Sequence, residues 1–147
     1  MPSIAQITTW PVEGLDALLG ESEKEGFHFL RRLNDDWISG ANRFSKPGEA
    51  FYGVFDSKRL LAVGGINRES ADCGRLRRFY VRKEARRKGF GRQLAQHILA
   101  FAPRYYSRVV LFTATEAADR FYCSLGFVRV QSDTKVSHEL TTPKPAT

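Results

Sequence analysis

The sequence has little of what disulfide-stapled or metal-stapled domains depend on. Only two cysteines occur, Cys73 and Cys123, 50 residues apart and without partners at metal-ligand spacing. With only three histidines in the chain, a structural zinc site is not expected. Two unpaired thiols fit a reducing, cytoplasmic compartment. No apolar run approaches the roughly 18 residues a membrane span needs, and the longest lie near Leu60–Ile66 and Val109–Ala114. The opening Met1-Pro2-Ser3-Ile4-Ala5 carries no basic flank and no apolar block, so no signal peptide is expected. Repeats, low-complexity tracts and linker-like composition shifts are missing as well.

What is present is the composition of one soluble globular domain: 147 residues, 42% hydrophobic and 27% charged. A chain of this length buries roughly 68–70% of its unfolded surface, enough for a core without disulfides. The expected boundaries are a single domain over residues 1–140 and a disordered tail over 141–147, which has two prolines and no large apolar side chain. Periodicity predicts a first strand over Ser3–Thr9 and a helix after Pro11 with Leu15, Leu18 and Leu19 on one face. A second helix, bearing Phe29, Leu33 and Trp37 at i, i+4 and i+8, stops at Gly40. Ala50–Phe55 and Arg59–Ile66 form a hairpin, and Arg75–Val81 is the next strand. A helix from about Gly91 to Phe101, a strand over Ser107–Thr113, a helix over Glu116–Leu125 capped by Gly126, and strands over Phe127–Val130 and Thr134–Leu140 complete the order. Hairpins surrounding one β-α-β crossover predict an α+β fold with a mixed, mostly antiparallel central sheet flanked by helices.

The net charge of +7 is concentrated. Between Arg75 and Arg92 nine basic residues stand against Glu84 alone, so this window carries +8 and the rest of the chain −1. Such concentration suits a polyanion held at one place, although a solvated basic face would look the same by charge alone. Within the window, Arg86-Arg87-Lys88-Gly89-Phe90-Gly91-Arg92 joins a strand to a helix. The first amides of a helix lack intrahelical acceptors and sit at the positive end of the dipole. Gly89 and Gly91 keep side chains away from those amides and permit left-handed torsions, which is what a phosphate-binding turn requires. A Walker-type loop is excluded because Arg92 and Gln93, not Lys and Ser/Thr, follow Gly91. A dinucleotide fingerprint is excluded because Leu94 stands where its third glycine would be.

At these residues the chain resembles the GNAT superfamily of N-acetyltransferases. The phosphate motif of that family, Arg/Gln-x-x-Gly-x-Gly/Ala, is matched by Arg86, Gly89 and Gly91, and Leu76–Val81 looks like its fourth strand. Downstream, Ala118-Asp119-Arg120-Phe121-Tyr122-Cys123-Ser124-Leu125-Gly126-Phe127 is similar to the family's A-x-x-F-Y-x-x-x-G-F segment. The chain departs from the common pattern with Lys83 for proline, Arg87 for glycine and Thr115 for asparagine; Thr115 retains a hydroxyl able to cap the following helix.

The resemblance implies acetyl-CoA as cosubstrate, a primary amine on a small molecule or peptide as acceptor, and direct attack in a ternary complex. It implies that the Phe79, Tyr80 and Val81 backbone lines the pantetheine arm, with the Val81 N–H as oxyanion donor. It further implies that Arg86, Arg87, Lys88, Gly89, Phe90, Gly91 and Arg92 wrap the pyrophosphate, that Thr115 and Phe121 flank the cofactor, and that Tyr122 is the general acid for the leaving thiolate. The strand glutamate often used as base in the family is replaced by Arg77 and Arg78. Glu69 and Asp72 are then the candidates, acting through water, or else plain surface carboxylates. His28, His97 and His138 have no motif context and are assigned to packing or surface.

Glu21, Glu23, Glu25, Asp35 and Asp36 suggest an acidic acceptor region, which Trp37, Phe44 and Tyr52 could line if they are not core. Two rivals remain at this level: a nucleic-acid-binding module, for which only Phe79, Tyr80 and Phe90 could stack, and an acyl-CoA sensor without turnover. No specific nucleic acid, membrane or metal partner is expected, and a homodimer is left open.

Overall fold

The computed structural model describes residues 2–131 and 133–142. Its elements follow the predicted order: β1 (Ser3–Gln6), α1 (Leu15–Lys24), α2 (Phe29–Ser39), β2 (Ala50–Asp56), β3 (Arg59–Ser70), β4 (Cys73–Val81), α3 (Phe90–Phe101), β5 (Arg108–Leu111), α4 (Glu116–Ser124), β6 (Val128–Arg129) and β7 (His138–Thr141). The seven strands form one sheet in the order β1-β2-β3-β4-β5-β7-β6. Its one parallel pair is β4 with β5, joined by α3 as the crossover. All other neighbours are antiparallel, so the sheet is mixed and mostly antiparallel as predicted.

Alternation along the strands gives the sheet two buried faces. On one, Leu15, Leu18 and Leu19 of α1 and Leu30, Leu33 and Trp37 of α2 pack with Phe51, Val63 and Tyr80. On the other, Leu94 and Ile98 of α3 and Tyr122 of α4 pack with Tyr52, Leu76 and Val109. Strand β2, which feeds both clusters, is buried on both sides and reads as a continuous apolar run. Among the described residues no helix is long and apolar enough to cross a membrane.

Several boundaries differ from expectation. Strands β3 and β4 run further than their apolar stretches, because Asn67, Arg68 and Ser70 pair with Arg75, Gly74 and Cys73 through backbone bonds indifferent to side-chain type. The last strand begins at His138, since Thr134 and Lys135 form a turn, and it runs on through Thr141. Thr142 is buried: its hydroxyl donates to the Tyr106 carbonyl at 2.5 Å and its N–H to the Ser107 carbonyl at 2.9 Å. The expected tail therefore starts too early at residue 141, since small polar residues can be held by the sheet when their hydrogen bonds are met; residues 143–147 lie outside the described residues. Gly126, at φ +104, is the left-handed residue after α4 that the sequence predicts.

Ile98, fully buried between α3 and the sheet, fixes the height of the helix that presents the glycine loop. Ile98→Ala is expected to cost about 2–5 kcal/mol by emptying that contact. In urea unfolding this shows as a lower midpoint with an unchanged slope.

Candidate active site

The parallel pairing of β4 and β5 ends at Arg75 opposite Val110. Strand β4 continues six residues beyond that point, about 20 Å, with no partner on its β5 side among the described residues, and a wedge opens there. The Arg82 N–H donates to the Leu61 carbonyl at 2.8 Å toward β3. By alternation the N–H groups of Val81 and Phe79 face the opposite edge, into the wedge. Side chains alternate too. Phe79 packs toward α3 and α4, whereas the buried Tyr80 packs toward α1 and α2.

At the end of β4 a single 3₁₀ turn, Lys83–Ala85, leads into the glycine loop. Arg87 and Gly89 are both left-handed, at φ +64 and +87, and bracket Lys88. A Cβ on Gly89 would meet nothing within 4 Å, so glycine is favoured there by torsion and not by crowding. The first helical bond runs from Gln93 N–H to the Gly89 carbonyl. The N–H groups of Arg87, Lys88, Gly89, Phe90, Gly91 and Arg92 thus have no hydrogen-bond acceptor among the described residues. Six successive free amides at a helix start, with left-handed residues between them, form an anion-binding concavity. Arg87 and Lys88 are exposed and make no ion pair among the described residues, and Arg92 reaches only the Ser124 hydroxyl at 3.2 Å and its carbonyl at 3.4 Å. These features fit a pyrophosphate.

Two of the predicted cofactor residues point elsewhere. The Tyr80 hydroxyl donates to Glu21 at 2.8 Å and to Glu25, so strand alternation turns its side chain away from the wedge and leaves only its backbone there. Arg86 lays its guanidinium on Glu25, at 2.9 and 2.5 Å, with Nε on the Val81 carbonyl at 3.0 Å and its Cζ 5.4 Å from the Tyr80 ring centroid. Its charge is matched within the protein. The Lys83 N–H also donates to Glu21, at 2.9 Å, so α1 is tied to the loop by a compact network. Burial and the two carboxylates push the Tyr80 phenol upward, and Arg86 holds the Glu25 carboxyl below its ordinary value.

Helix α4 forms the facing wall. Thr115 caps it, its hydroxyl accepting from the Ala118 N–H at 3.2 Å, so this side chain serves the helix first. Phe121 packs 5.7 Å from Phe79, centroid to centroid, and stands about 3.7 Å from where a Cβ on Gly91 would lie. The half-buried Phe90 packs against the α3/α4 cluster. Tyr122 is buried among Phe79, Phe121, Phe127 and His138, and its hydroxyl makes no hydrogen bond among the described residues. Burial alone raises its phenol, which stays protonated at neutral pH.

Behind Tyr122 lies a cluster that no sequence motif announced. Asp119 accepts from Arg129, at 2.7 and 2.5 Å, and meets His138 Nε2 at 2.7 Å, while Ser137 Oγ meets His138 Nδ1 at 2.8 Å. Its only sequence trace is the i, i+4 pair Asp119 and Cys123, the latter's thiol lying 3.7 Å from the same carboxylate. Arg129 and His138 hold the Asp119 carboxyl well below the usual range. The carboxylate oxygens already have these partners, so the cluster is a clamp between α4 and β7. Of the other histidines, His97 is exposed beside Tyr52 and His28 precedes α2.

The proposed base positions are not at the wedge. Asp72 precedes β4 at its far end, with its carboxylate near Ser70 and Ser107. Glu69 is ion-paired with Arg75. The acidic acceptor region is also largely neutralised: Glu23 pairs with Arg31, Asp36 with Arg78, and Glu21 and Glu25 sit in the Tyr80–Arg86 network. Trp37 and Phe44 are buried in the α1/α2 core and Tyr52 in the α3/α4 core, so they are packing residues.

Because the folded Glu25 carboxyl is held below its ordinary value of 4.5, its contribution is complete above that pH and fades as pH falls through the lowered folded value. Glu25→Gln should lower the thermal midpoint by about 2–4 °C at neutral pH. Midpoints recorded down to about pH 3 should converge with wild type in acid, and a constant gap would contradict this linkage.

Comparison with known proteins agrees with this geometry. A family model described as an acetyltransferase (GNAT) domain matches residues 19–143. A crystal structure from Exiguobacterium sp. 255-15, assigned as an acetyltransferase, is 33% identical, with a TM-score of 0.86 over 96% of this chain and 93% of that one. The ribosomal-protein-S18-alanine N-acetyltransferase of Escherichia coli shares the fold at 17% identity and TM-score 0.73, over 99% of this chain and 97% of that one. So does N-acetylglutamate synthase of Neisseria gonorrhoeae, in complex with coenzyme A and N-acetyl-glutamate, at 21% identity and TM-score 0.70, over 97% of this chain and 35% of that one. No match is found among curated proteins. With a wedge beside β4, a free-amide loop at the start of α3 and a family match over most of its length, the chain belongs to the GNAT acetyltransferase family.

Proposed function

We propose that the protein is an acetyl-CoA-dependent N-acetyltransferase that acetylates a primary amine by direct attack in a ternary complex. The observation that carries this reading is the run of six free amides from Arg87 to Arg92, placed where the Val81 and Phe79 N–H groups open into the same wedge. Acetyl-CoA, when bound, supplies a thioester whose carbonyl carbon accepts the amine nitrogen and whose sulfur leaves as a thiolate.

The chain's own residues divide the remaining work. The Arg87–Arg92 amides hold the pyrophosphate, with the unpaired Arg87 and Lys88 and the Ser124-bound Arg92 adding charge-assisted donors. Phe79 and Val81 present backbone to the pantetheine arm, and the Val81 N–H is aimed at oxygen that gains negative charge. Phe121 and Thr115 flank the arm from α4. Tyr122 donates its proton to the departing sulfur, and its unpartnered hydroxyl with a raised phenol suits a donor. With Glu69 and Asp72 held at the other end of β4, the ammonium proton of the acceptor passes to water.

Two experiments test these assignments. A Cβ on Gly91 would stand 3.0 Å from Val81 Cγ2, so Gly91→Val crowds both the loop and the wall. Its dissociation constant for acetyl-CoA, measured by calorimetry, should rise about 100-fold or more, equivalent to losing one or two charge-assisted bonds; an unchanged constant refutes the loop assignment. Tyr122→Phe keeps the ring contacts with Phe79, Phe121 and Phe127. Its kcat should fall about 100-fold while KM for acetyl-CoA stays nearly constant, because the lost contact acts mainly in the transition state. Wild-type turnover would make the hydroxyl structural.

A further inference from the structure

On the α1/α2 face of β4, opposite the face that carries Phe79, stands a row of arginines. Arg75 lies across from Asn67, whose amide bonds to Asn42 of the α2–β2 connection. Arg77 lies across from Gly65, where a Cβ would strike Phe44 and Phe51 of the same face. Arg78, left-handed at φ +58 in the bulged part of the strand, reaches Asp36 of α2. The strand bulge places two successive arginines on one face.

These cations are not balanced. Arg75 is matched by Glu69 and also donates to the Lys135 carbonyl at 2.9 Å. Among the described residues Arg78 has only Asp36, at 3.5 Å and in loose geometry, though its side chain is 10% exposed, and its buried Nε has no acceptor. Arg77 makes no hydrogen bond or ion pair among the described residues, and Arg32 on α2 adds a further exposed charge. Burial, then the charge of Arg77, and also that of Arg32, depress the basicity of Arg78, against the pull of Asp36. An unpaired buried guanidinium donor is costly, and an oxyanion is what relieves it. The fork geometry of arginine suits carboxylate and phosphate alike.

Resting on the transferase reading above, we infer that the amine acceptor carries an anionic oxyacid group, which Arg77, Arg78 and Arg32 hold on the α1/α2 face of the wedge. The loop that holds the cofactor's phosphates opens beside Val81, Gly91 and Phe121 on the α3/α4 side, so the acceptor reaches the thioester from the other face. There it meets this arginine group and Asp36 of α2. In the acceptor region, which by sequence looks acidic and suited to a cation, Glu21, Glu23, Glu25 and Asp36 are paired, which leaves Arg32 and Arg77 against the exposed Asp35 among the described residues.

The test uses matched amine pairs: β-alanine with β-alaninamide for a carboxylate, and phosphoethanolamine with ethanolamine for a phosphate, each rate corrected for the amine's own ionisation. Thiol release from acetyl-CoA should show kcat/KM about 10-fold or more higher for a charged member than for its neutral partner, and the pair with the larger ratio identifies the oxyacid. In Arg32→Gln the ratio should fall toward one, and in Arg77→Glu, which reverses the charge, it should fall below one. The thermal shift produced by acetyl-CoA serves as the fold control for both variants. Ratios near one in the wild-type enzyme, or ratios unmoved by either variant, overturn the inference and leave the transferase reading standing. No acetylation of either charged member, with acetyl-CoA still bound, overturns the inference alone, whereas failure of acetyl-CoA to bind overturns the transferase reading and the inference with it.

Discussion

Strand β4 loses its β5 partner after Arg75, and the site follows from that separation. Inside a sheet the N–H groups of Phe79 and Val81 would be covered by a neighbouring strand. With β5 ending at Leu111 they are left available, while β3 still holds the strand in place from the other side. A peptide edge that is rigid yet unpaired on one side is a preorganised donor surface. Donors of this kind do not have to reorganise when charge develops near them. The same edge would attract another strand if it were open along its length. Here α4 packs Phe121 and Tyr122 against Phe79, so the edge is not open along its length.

The loop that follows β4 is braced from α1. Arg86, Tyr80 and the Lys83 amide all converge on Glu21 and Glu25, so the helix carboxylates hold both ends of the turn. This explains why the first arginine of the phosphate motif is turned away from the amides it introduces. Its Nε holds the Val81 carbonyl, which aligns the end of β4 with the turn. The Arg86 guanidinium is thus occupied within the protein, while the amides from Arg87 to Arg92 have no acceptor among the described residues. Arg87, where glycine is common in the family, adopts the left-handed torsion without being glycine. A non-glycine residue tolerates this at modest cost, and it places a cation at the mouth of the concavity.

The element order, the single crossover, the left-handed residue after α4 and the capping role of Thr115 were legible in the sequence, because each depends on local periodicity or on one side chain next to its own backbone. The directions of Tyr80 and Arg86 were not. Each requires knowing that α1 lies against the same face of β4, a tertiary fact with no local signature. The Asp119–His138–Arg129 clamp escaped for the same reason: its members come from α4, β6 and β7, and only the sheet order β5-β7-β6 brings them together. Its position matters because it fastens α4, and so the Tyr122 ring, to β7.

Charge was legible in amount but not in placement. The nine basic residues from Arg75 to Arg92 look like one patch along the chain. In the fold Arg75, Arg78, Arg82 and Arg86 are each ion-paired, the exposed Lys83 lies in the turn after β4, and the remaining four cations fall in two places. A strand sends successive side chains to opposite faces, whereas a helix start gathers backbone amides at one point. The bulge in β4 keeps Arg77 and Arg78 together on the α1/α2 face, while Arg87, Lys88 and Arg92 stand at the loop. Glu21 on α1 and Glu25 just after it neutralise Arg82 and Arg86, which lie between the two groups along the chain. Without those carboxylates the cations would repel across a short distance, and one diffuse field would attract any polyanion along its length. With them the cations unpaired among the described residues, Arg77 and, at the loop, Arg87 and Lys88, are separated by a neutralised stretch.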